Sequence, residues 1–348
     1  MERTSYRYKV GWVSHGSFFK YNFFRRKRSF CNLEPFSRMR TGNIAECINL
    51  NSSLIHNELY NPKTKYDVVI FQKIMNKHCQ EELRKIKDYG GKVIFDANVN
   101  YYEIWGEYDV PGTKPTVLQQ QDAIFMTKNA DWVTASSSYI ASIAGKFNSN
   151  VTWIPDNVNL HIYNYSKQHY QNNNLILVWS GVAKKAKHLL LLKDVFKRLK
   201  GLKLVLVSDK FPSVIKELKD AIPCLYQKFS EAGYAQKLKD CDIIISPKNL
   251  NNGYEMGHSE YKITLGMAMG LPAIASPQIS YVEAIAYKNG GIIASTPVEW
   301  QRAFVLLAND YNLRAEMGIR AKQAVIERYS TDIVANKYMD VIQQVLYK

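Results

Sequence analysis

Short apolar runs alternate with helical segments along most of this 348-residue chain, and the alternation occurs in two separate series. In the first series, the apolar runs 67–72 and 92–96 flank a Lys- and Glu-rich helical segment, 79–89. Runs that are apolar throughout indicate parallel strands with both faces buried. A strand, a crossover helix and a second parallel strand form a βαβ unit. The pattern therefore predicts an α/β protein built on parallel sheets.

A polar, asparagine-rich segment, 161–173, separates the two series. Further strands are predicted before it at 8–14, 131–135 and 151–155, and after it at 175–179, 202–208, 242–246 and 273–276. A chain of this length exceeds one ordinary core and fits two domains of about 150 to 170 residues. We therefore predict Rossmann-like domains at 1–160 and 174–330 that face a cleft, a linker at 161–173 and a separate final helix at 331–348.

The net charge indicates which classes of partner the protein binds, and the cysteines indicate its cellular compartment. The formal net charge of +15 favours an acidic partner: a nucleotide diphosphate, an anionic lipid, an acidic glycan or a nucleic acid. Genome base composition is the alternative reason for the many Lys and Asn residues. Five cysteines without C-x-x-C spacing predict free thiols in a reducing cytoplasm and no zinc site. Because the chain has no apolar run of about 18 residues and no signal core, we predict a cytoplasmic protein.

Polar side chains follow the predicted strands of the first half at their carboxyl ends, where open α/β sheets bind ligands. His15 follows the first strand, and Asp96 and Asn98 follow the strand 92–96. We regard Asp96 and His15 as candidate catalytic bases and Asn98 as part of an acceptor site. The alternative for the histidine is a loop position satisfied by the backbone.

An arginine pair, Arg38 and Arg40, stands at the start of the next predicted helix. Two cations are unfavourable at a helix N-terminus unless an anion or a carboxylate meets them. The pair therefore predicts a contact with an anionic acceptor, and ion pairs within the protein are the alternative.

The segment 18–30 contains many aromatic and cationic residues and no acidic residue. Such a segment can lie on a membrane, with its rings at the headgroup level and its cations on anionic lipid. We therefore predict peripheral association with the inner face of the cell membrane, against the alternative of a solvated basic loop.

The second half begins with a strand that ends at Ser180 and Gly181, and a run of lysines follows before the next helix. Glycine turns with nearby cations at strand ends bind phosphate. Lys187 is the lysine that we select, although lysines at a helix start are otherwise ordinary surface residues.

The stretch 258–277 combines a polar entry, a small-residue helix and a buried strand. Ser259 is predicted to cap the helix, whose free N–H groups would face an anion. Gly270 and Pro272 are predicted to end it.

This stretch resembles the nucleotide-sugar-binding segment of retaining GT-B glycosyltransferases that build bacterial polysaccharides and lipopolysaccharides, in which the helix ends Met-Ala-x-Gly-x-Pro-x-Ile-Ala-Ser. The resemblance implies the GT-B fold, with the last helix crossing back to the first domain and a nucleotide sugar, most commonly UDP-linked, on the second. The donor residues that it implies are Ser180, Gly181, Lys187, Glu255, His258, Ser259 and Lys262.

The chain departs from the family pattern at the two glutamates that hold the ribose and the sugar, where it has Gly257 and Leu265. Val182 also replaces the usual arginine of the phosphate turn. Glu255, His258 and Glu260 are the nearest groups able to hold sugar or ribose hydroxyls. We select Glu260 as the catalytic candidate and expect Glu260→Ala to reduce turnover more than Glu255→Ala.

The resemblance further implies sugar transfer with retention of configuration to a glycan or a lipid-linked, lipopolysaccharide-type acceptor, without a metal or another cofactor. No Walker, dinucleotide-binding, zinc-protease or esterase motif occurs in the sequence. Two other classes stay open: a nucleotide-sugar epimerase, which releases free nucleotide without an acceptor, and an inactive or nucleic-acid-directed member, which binds duplexes in a salt-sensitive way.

Overall fold

The computed structural model describes residues 6–14, 29–30, 33–34, 37–172 and 174–347. Six strands form the first sheet: β1 (Tyr8–Val13), β2 (Ile55–Leu59), β3 (Val68–Gln72), β4 (Lys92–Ala97), β5 (Trp132–Ala135) and β6 (Val151–Trp153). The helices of this half are α1 (Asn43–Asn51), α2 (Lys77–Asp88), α3 (Val117–Asn129) and α4 (Ser138–Ala144). A π-helical turn, Arg38–Gly42, comes directly before α1.

All strands of the first sheet are parallel, in the order β2-β1-β3-β4-β5-β6. Every residue of β3 is buried, as its uninterrupted apolar run predicts. Side-chain caps fix where several helices begin. Ser137 accepts a hydrogen bond from the backbone N–H of Ile140 at the start of α4, and Thr116 forms a capping box with Gln119 at α3.

The second sheet contains β7 (Leu175–Ser180), β8 (Leu202–Ser208), β9 (Cys224–Lys228), β10 (Ile243–Ser246), β11 (Ala273–Ala275) and β12 (Gly291–Ile293). A 3₁₀ segment (Ala183–Leu192) leads into α5 (Lys193–Arg198), and the later helices are α6 (Ile215–Leu218), α7 (Glu231–Leu238), α8 (Gly253–Met256), α9 (Tyr261–Ala268), α10 (Ile279–Ala286), α11 (Pro297–Asn309), α12 (Tyr311–Arg328) and α13 (Thr331–Tyr347).

The second sheet is also parallel throughout, in the order β12-β11-β10-β7-β8-β9, which is the order of a doubly wound Rossmann sheet. The predicted fold class, with two Rossmann-like α/β units, is confirmed. Three strands had no prediction: β2, β9 and β12. Each lies at a sheet edge and is only partly buried, so its sequence lacks a continuous apolar run.

The last helix, α13, crosses back to the first half and packs on α1. Its buried residues join the core that contains β1 and β3, and the ring of Tyr338 lies 5.6 Å from that of Trp12. Phe30, the last residue of the cationic aromatic segment, belongs to the same core, whereas residues 18–28 lie outside the described ranges. This return of the chain confirms the predicted position of the final helix.

The proposed linker 161–173 packs on the second half. Tyr163 is buried in that core, the Lys167 ammonium lies 3.2 Å from the Asp242 carboxylate, and the His169 ring lies 3.0 Å from the carbonyl oxygen of Gly270. Among the helices of the described residues, none is both long and apolar enough to cross a membrane.

Candidate functional site

A glycine turn at the end of β7 brings the backbone close to a lysine ammonium group. A Cβ atom built on Gly181 would lie 3.0 Å from Lys262 Nζ and 3.1 Å from the ring of Trp179. Lys262 is on the first turn of α9, and Ser180 is the last residue of β7. The structure thus brings together Ser180, Gly181 and Lys262, which the sequence assigns to the donor.

Three lysines surround one glutamate here, and we call Lys185, Lys248 and Lys262 the lysine cluster. The Nζ atoms of Lys185 and Lys248 each lie 3.3 Å from a carboxylate oxygen of Glu255 on α8. Lys185, Lys248 and Glu255 are all buried. When all three lysines are protonated, one carboxylate faces three ammonium groups, which leaves an excess of two positive charges. The site therefore suits a ligand with about two negative charges.

The pKa shifts reflect this excess of positive charge. Burial lowers the pKa of Lys185 to about 8, against the opposing effect of Glu255. Burial also lowers the pKa of Lys248, and burial with the charges of the two other lysines lowers that of Lys262 well below its usual value. Burial alone would raise the pKa of Glu255, but Lys248 and Lys185 outweigh it and hold this pKa well below its usual range. An anion would relieve the repulsion among the lysines.

Each ammonium group of the cluster also lies near the face of an aromatic ring. The distance from Nζ to the ring centroid is 4.6 Å for Lys185 and Tyr254, 5.1 Å for Lys248 and Tyr281, and 5.4 Å for Lys262 and Trp179. Such contacts contribute about 0.5 to 2 kcal/mol each. They compensate part of the cost of holding three cations together.

His258 belongs to the same site in a neutral form. Lys185 Nζ lies 2.8 Å from Nε2 of the ring, and Nδ1 lies 2.6 Å from the carbonyl oxygen of Tyr254. Because an ammonium group only donates, Nε2 is the acceptor and Nδ1 carries the hydrogen. Burial, together with Lys185 and Lys248, holds the pKa of His258 well below its usual value. His258 therefore orients Lys185.

Lys187, the lysine selected from the sequence, lies on the exposed side of the 3₁₀ segment. Its ammonium donates to the carbonyl oxygen of Asp109 in the first half, and the neighbouring Lys184 donates to that of Pro111 at 2.8 Å. The buried lysine of this segment is Lys185 instead. Donor contact by Lys187 stays a prediction, for which its ammonium would have to leave Asp109.

Arg40 is buried at the centre of a structural network, which corrects its assignment to the acceptor. Its guanidinium makes two 2.8 Å hydrogen bonds to Asp96 and one of 2.9 Å to Asp156. Its remaining N–H groups donate to the carbonyl oxygens of Ile154 and Pro155. All five donors are used, so no N–H group of Arg40 is left for a ligand.

Asp96 is likewise fully engaged and does not suit the role of catalytic base. Besides Arg40, it accepts hydrogen bonds from Thr134 Oγ1 at 2.7 Å and from Tyr338 OH at 3.0 Å. It lies within β4 and is wholly buried, rather than past the strand end. Its carboxylate ties β4, α13 and Arg40 together.

Arg38 and Ser259 connect the two halves. Arg38 Nη1 lies 3.2 Å from the carboxylate of Glu231 in α7. Ser259 Oγ donates to Asp156 at 2.6 Å and caps no helix, because α9 begins at Tyr261 with Glu260 as its N-cap residue. The predicted cap at Ser259 is therefore wrong by one residue, because Glu260 is the N-cap residue. The Ser259 hydroxyl binds Asp156 of the first half.

Glu260 is wholly buried, which contradicts its assignment to catalysis. Within the described residues, neither carboxylate oxygen has a side-chain or main-chain hydrogen-bond partner, and burial together with Asp156 raises the pKa well above its usual value. A carboxyl group without access to solvent does not meet a sugar hydroxyl. Because Glu255 is the glutamate that contacts the lysine cluster, we now expect Glu255→Ala to reduce turnover more than Glu260→Ala.

The two departures from the family pattern have packing reasons. A Cβ atom on Gly257 would lie 2.6 Å from Cβ of Asn100, so α8 approaches the first half through this glycine. Ser137 Oγ donates to the carbonyl oxygen of Gly257 at 3.0 Å in the same contact. Leu265 is buried in the core of the second half. Gly257 has no room for a side chain, and Leu265 lies in the apolar core. The carboxylate of Glu255 is two residues before Gly257.

The loop 98–112 of the first half lies against the loop that carries α8. Asn252 Nδ2 donates to the carbonyl oxygen of Glu107 at 2.7 Å, and Gly106 forms a backbone bridge with Asn252. Asn98, at the start of this loop, is buried, and neither amide atom has a hydrogen-bond partner in the part of the chain that the structure describes. His15 lies outside the described residues. Acceptor contacts by Asn98 and His15 stay predictions.

Sequence reasoning missed Lys185 and Lys248. Lys248 follows β10 by two residues, so the strand-end rule that selected Asp96 would also have selected it. Lys185 stands among three lysines, and only the 3₁₀ geometry shows which one is buried. Within the described residues, no group of three or more His, Cys, Asp or Glu side chains could hold a metal ion.

No family model and no curated protein sequence matches the chain. Solved structures are similar to it. A glycosyltransferase from Rickettsia africae is 14% identical, with a TM-score of 0.69, over 98% of this chain and 99% of that one. HepE of Anabaena, crystallised with UDP-glucose, is 11% identical, with a TM-score of 0.65, over 97% and 100% of the two chains. TarM of S. aureus is 15% identical, with a TM-score of 0.62, over 86% of this chain, which spans 58% of the length of TarM.

These structures and the two parallel sheets define the class of the fold. The chain has the GT-B fold of glycosyltransferases, as its resemblance to that group implied. Identities of 11 to 15% establish the fold and leave the reaction to be argued from the site.

Proposed function

We propose that the chain is a glycosyltransferase that moves a sugar from a nucleotide-sugar donor, in the first instance a UDP sugar, to a glycan or a lipid-linked, lipopolysaccharide-type acceptor. The lysine cluster carries this proposal, because it collects three ammonium groups around one carboxylate at the carboxyl ends of β7 and β10. A nucleoside diphosphate matches that excess of charge. The UDP and UDP-glucose complexes of HepE favour uridine as the nucleoside.

In the proposed reaction, the lysines would stabilise the negative charge that grows on the departing diphosphate. Lys262 approaches the Ser180–Gly181 turn. Lys185 reaches Glu255 from the 3₁₀ segment, and Lys248 reaches it from the end of β10. Preorganised cations in a buried site contribute most when charge develops in the transition state. Glu255 holds two of them in place before the donor binds.

Retention without a covalent enzyme intermediate and without an obligatory metal remains part of this proposal. Because Asp96 is saturated by Arg40, Thr134 and Tyr338, it is no longer a candidate for the base. In such a scheme the departing phosphate itself accepts the proton of the acceptor hydroxyl. NMR of the product anomer, with a chelator present, tests both points: an inverted product, or loss of all activity on removing metal, would refute them.

Calorimetry with UDP tests the donor site. Lys248→Met and Lys262→Met should each weaken UDP binding at least about tenfold, because each removes a charge-assisted contact to phosphate. Lys203→Met is the matched control, since it removes the same charge from an exposed position on β8. If all three variants bind UDP equally, the lysine cluster is not the diphosphate site.

Membrane association through the segment 18–30 is supported by its sequence alone. Its aromatic and cationic residues suit an anionic lipid surface, where a lipid-linked acceptor would be found. Flotation with anionic vesicles tests it. Reversal of the charges of Arg25, Arg26, Lys27 and Arg28 should abolish flotation, and a protein that anionic vesicles do not retain would refute this part.

A further inference from the structure

An indole ring is exposed on the loop 98–112, next to the lysine cluster. Trp105 is 42% exposed, whereas Trp12, Trp132, Trp179 and Trp300 are buried. The ring has no part in a core, so packing of the first half does not explain its presence. Flat, exposed aromatic rings bind other apolar faces well, because they offer a large contact area with little conformational entropy to lose.

A carboxylate holds this ring in one orientation. Oε2 of Glu103 accepts hydrogen bonds from Trp105 Nε1 at 3.2 Å, from Tyr139 OH at 2.9 Å and from Asn100 Nδ2 at 3.3 Å. The other oxygen, Oε1, accepts no hydrogen bond from the part of the chain that the structure describes. One oxygen therefore fixes the indole, and the second is available to a ligand beside it.

The ring and two lysines of the cluster contact the same short helix, α8. A Cβ atom on Gly253 would lie 2.9 Å from Trp105 Nε1 and 3.4 Å from Cβ of Glu103. Two residues further along α8, Glu255 contacts Lys185 and Lys248. A helical turn of four residues is about 6 Å long. A single sugar ring can therefore span from the indole toward the anion site.

The charge around the ring selects among sugars. No Lys or Arg occurs from residue 93 to residue 113 of this strongly basic chain, and Glu103, Glu107 and Asp109 all lie in that stretch. The facing cations, Lys184 and Lys187, donate to backbone carbonyls of Pro111 and Asp109 at the far end of the loop. The carboxylates would repel a hexuronate on the indole, and they would not repel an uncharged or amino sugar.

We infer that Trp105 and Glu103 form an acceptor subsite for an uncharged or amino-sugar ring, which stacks on the indole and donates a hydroxyl or ammonium hydrogen to Glu103 Oε1. The inference rests on the proposed glycosyltransferase function and names the acceptor class for it. The sugar ring that this subsite would bind is not anionic. It therefore differs from the partner proposed for the basic segment 18–30, which is an anionic lipid surface.

Ligand-observed NMR titration with methyl glycosides tests the subsite in the full-length protein saturated with UDP. The probes are methyl hexosides, aminohexosides and hexuronides, each in the gluco, galacto and manno configurations, so that charge varies on a constant ring. At least one neutral or amino glycoside should bind about tenfold or more tightly than its hexuronide. Trp105→Leu should weaken this binding about tenfold, whereas the control Tyr170→Leu, which removes another exposed ring, should not.

Glu103→Gln probes the selectivity by itself, because it removes the charge and keeps an acceptor oxygen. In this variant, the ratio between the affinity for the neutral glycoside and the affinity for its hexuronide should fall below about threefold. Equal or tighter binding of hexuronides to the wild type, no effect of Trp105→Leu, or no binding of any glycoside overturns the inference. UDP calorimetry on the wild type distinguishes failure of the proposed function from failure of the subsite. Glycoside binding without UDP binding refutes the proposed function. UDP binding without glycoside binding refutes the subsite alone.

Discussion

The affinity for UDP should fall as the pH rises from 7 to 9, because anion binding requires protonated lysines. Burial lowers the pKa of Lys185 to about 8, so this lysine loses its proton within that range. For a pKa near 8, the protonated fraction falls from about nine tenths at pH 7 to about one tenth at pH 9, which weakens binding about tenfold, or about 1.4 kcal/mol. The pKa values of Lys248 and Lys262 are also lowered. Loss of a proton from either of them would weaken UDP binding further.

Calorimetry in buffers of different ionisation enthalpy measures both the affinity and the protons taken up. UDP itself contributes little, since a terminal phosphate has a pKa of about 6. Neutral His258 stays uncharged over this range, and Glu255 stays ionised. At pH 9, Lys185→Met should remove up to about nine tenths of a proton from the uptake, and Lys203→Met should leave the uptake unchanged. A wild-type affinity that is constant from pH 7 to 9 would refute the assignment of the buried lysines to the diphosphate.

Further predictions concern stability and the contact between the halves. Glu260→Gln should stabilise the protein at pH 8. Folding raises the pKa of the Glu260 carboxyl above 4.5. Its contribution to the free energy of unfolding is therefore complete below pH 4.5 and is lost as the pH rises, by up to about 1.4 kcal/mol per pH unit. Urea unfolding at pH 5 and pH 8 checks this, and an unchanged pH dependence contradicts it. Arg40→Met should cost about 3 to 5 kcal/mol in the same assay, since it leaves two buried carboxylates without their cation, whereas the partly exposed Arg38→Met should cost less than about 1 kcal/mol. Gly106→Ala should increase hydrogen exchange at residues 249–257, because its Cβ would lie 1.8 Å from the carbonyl oxygen of Asn251. Gly112→Ala is the control, with a similar positive φ and no atom nearer than 3.7 Å, and equal exchange in both variants would show that the clash is absorbed locally.

Periodicity predicted most of the fold because the central strands are apolar throughout. The runs at β3, β4, β7, β8 and β10 are buried on both faces, which leaves a signal that needs no tertiary information. Edge strands such as β9 are buried on part of one face only, and their pairing depends on a neighbour that the local sequence does not specify.

The site was predicted less well because residue type does not determine where a side chain points. Arg40 and Asp96 are each a reasonable ligand contact in isolation, yet they satisfy one another. Glu255 and Glu260 are five residues apart, and one contacts lysines while the other is buried beside Asp156. Whether a side chain reaches the site depends on contacts between segments that are distant in sequence. Helical or strand periodicity does not predict those contacts.

The return of α13 to the first half has a consequence for synthesis on the ribosome. The core of the first half includes Val334, Tyr338 and Ile342, and Asp96 obtains one of its hydrogen bonds from Tyr338. The ribosome makes these residues after the whole of the second half. At about 5 to 20 residues per second, roughly 10 to 40 s pass between the end of the first half and the completion of α13. Throughout that interval the nascent first half exposes the apolar surface that α13 later covers, which makes it a substrate for chaperones, and the second half completes its own sheet first.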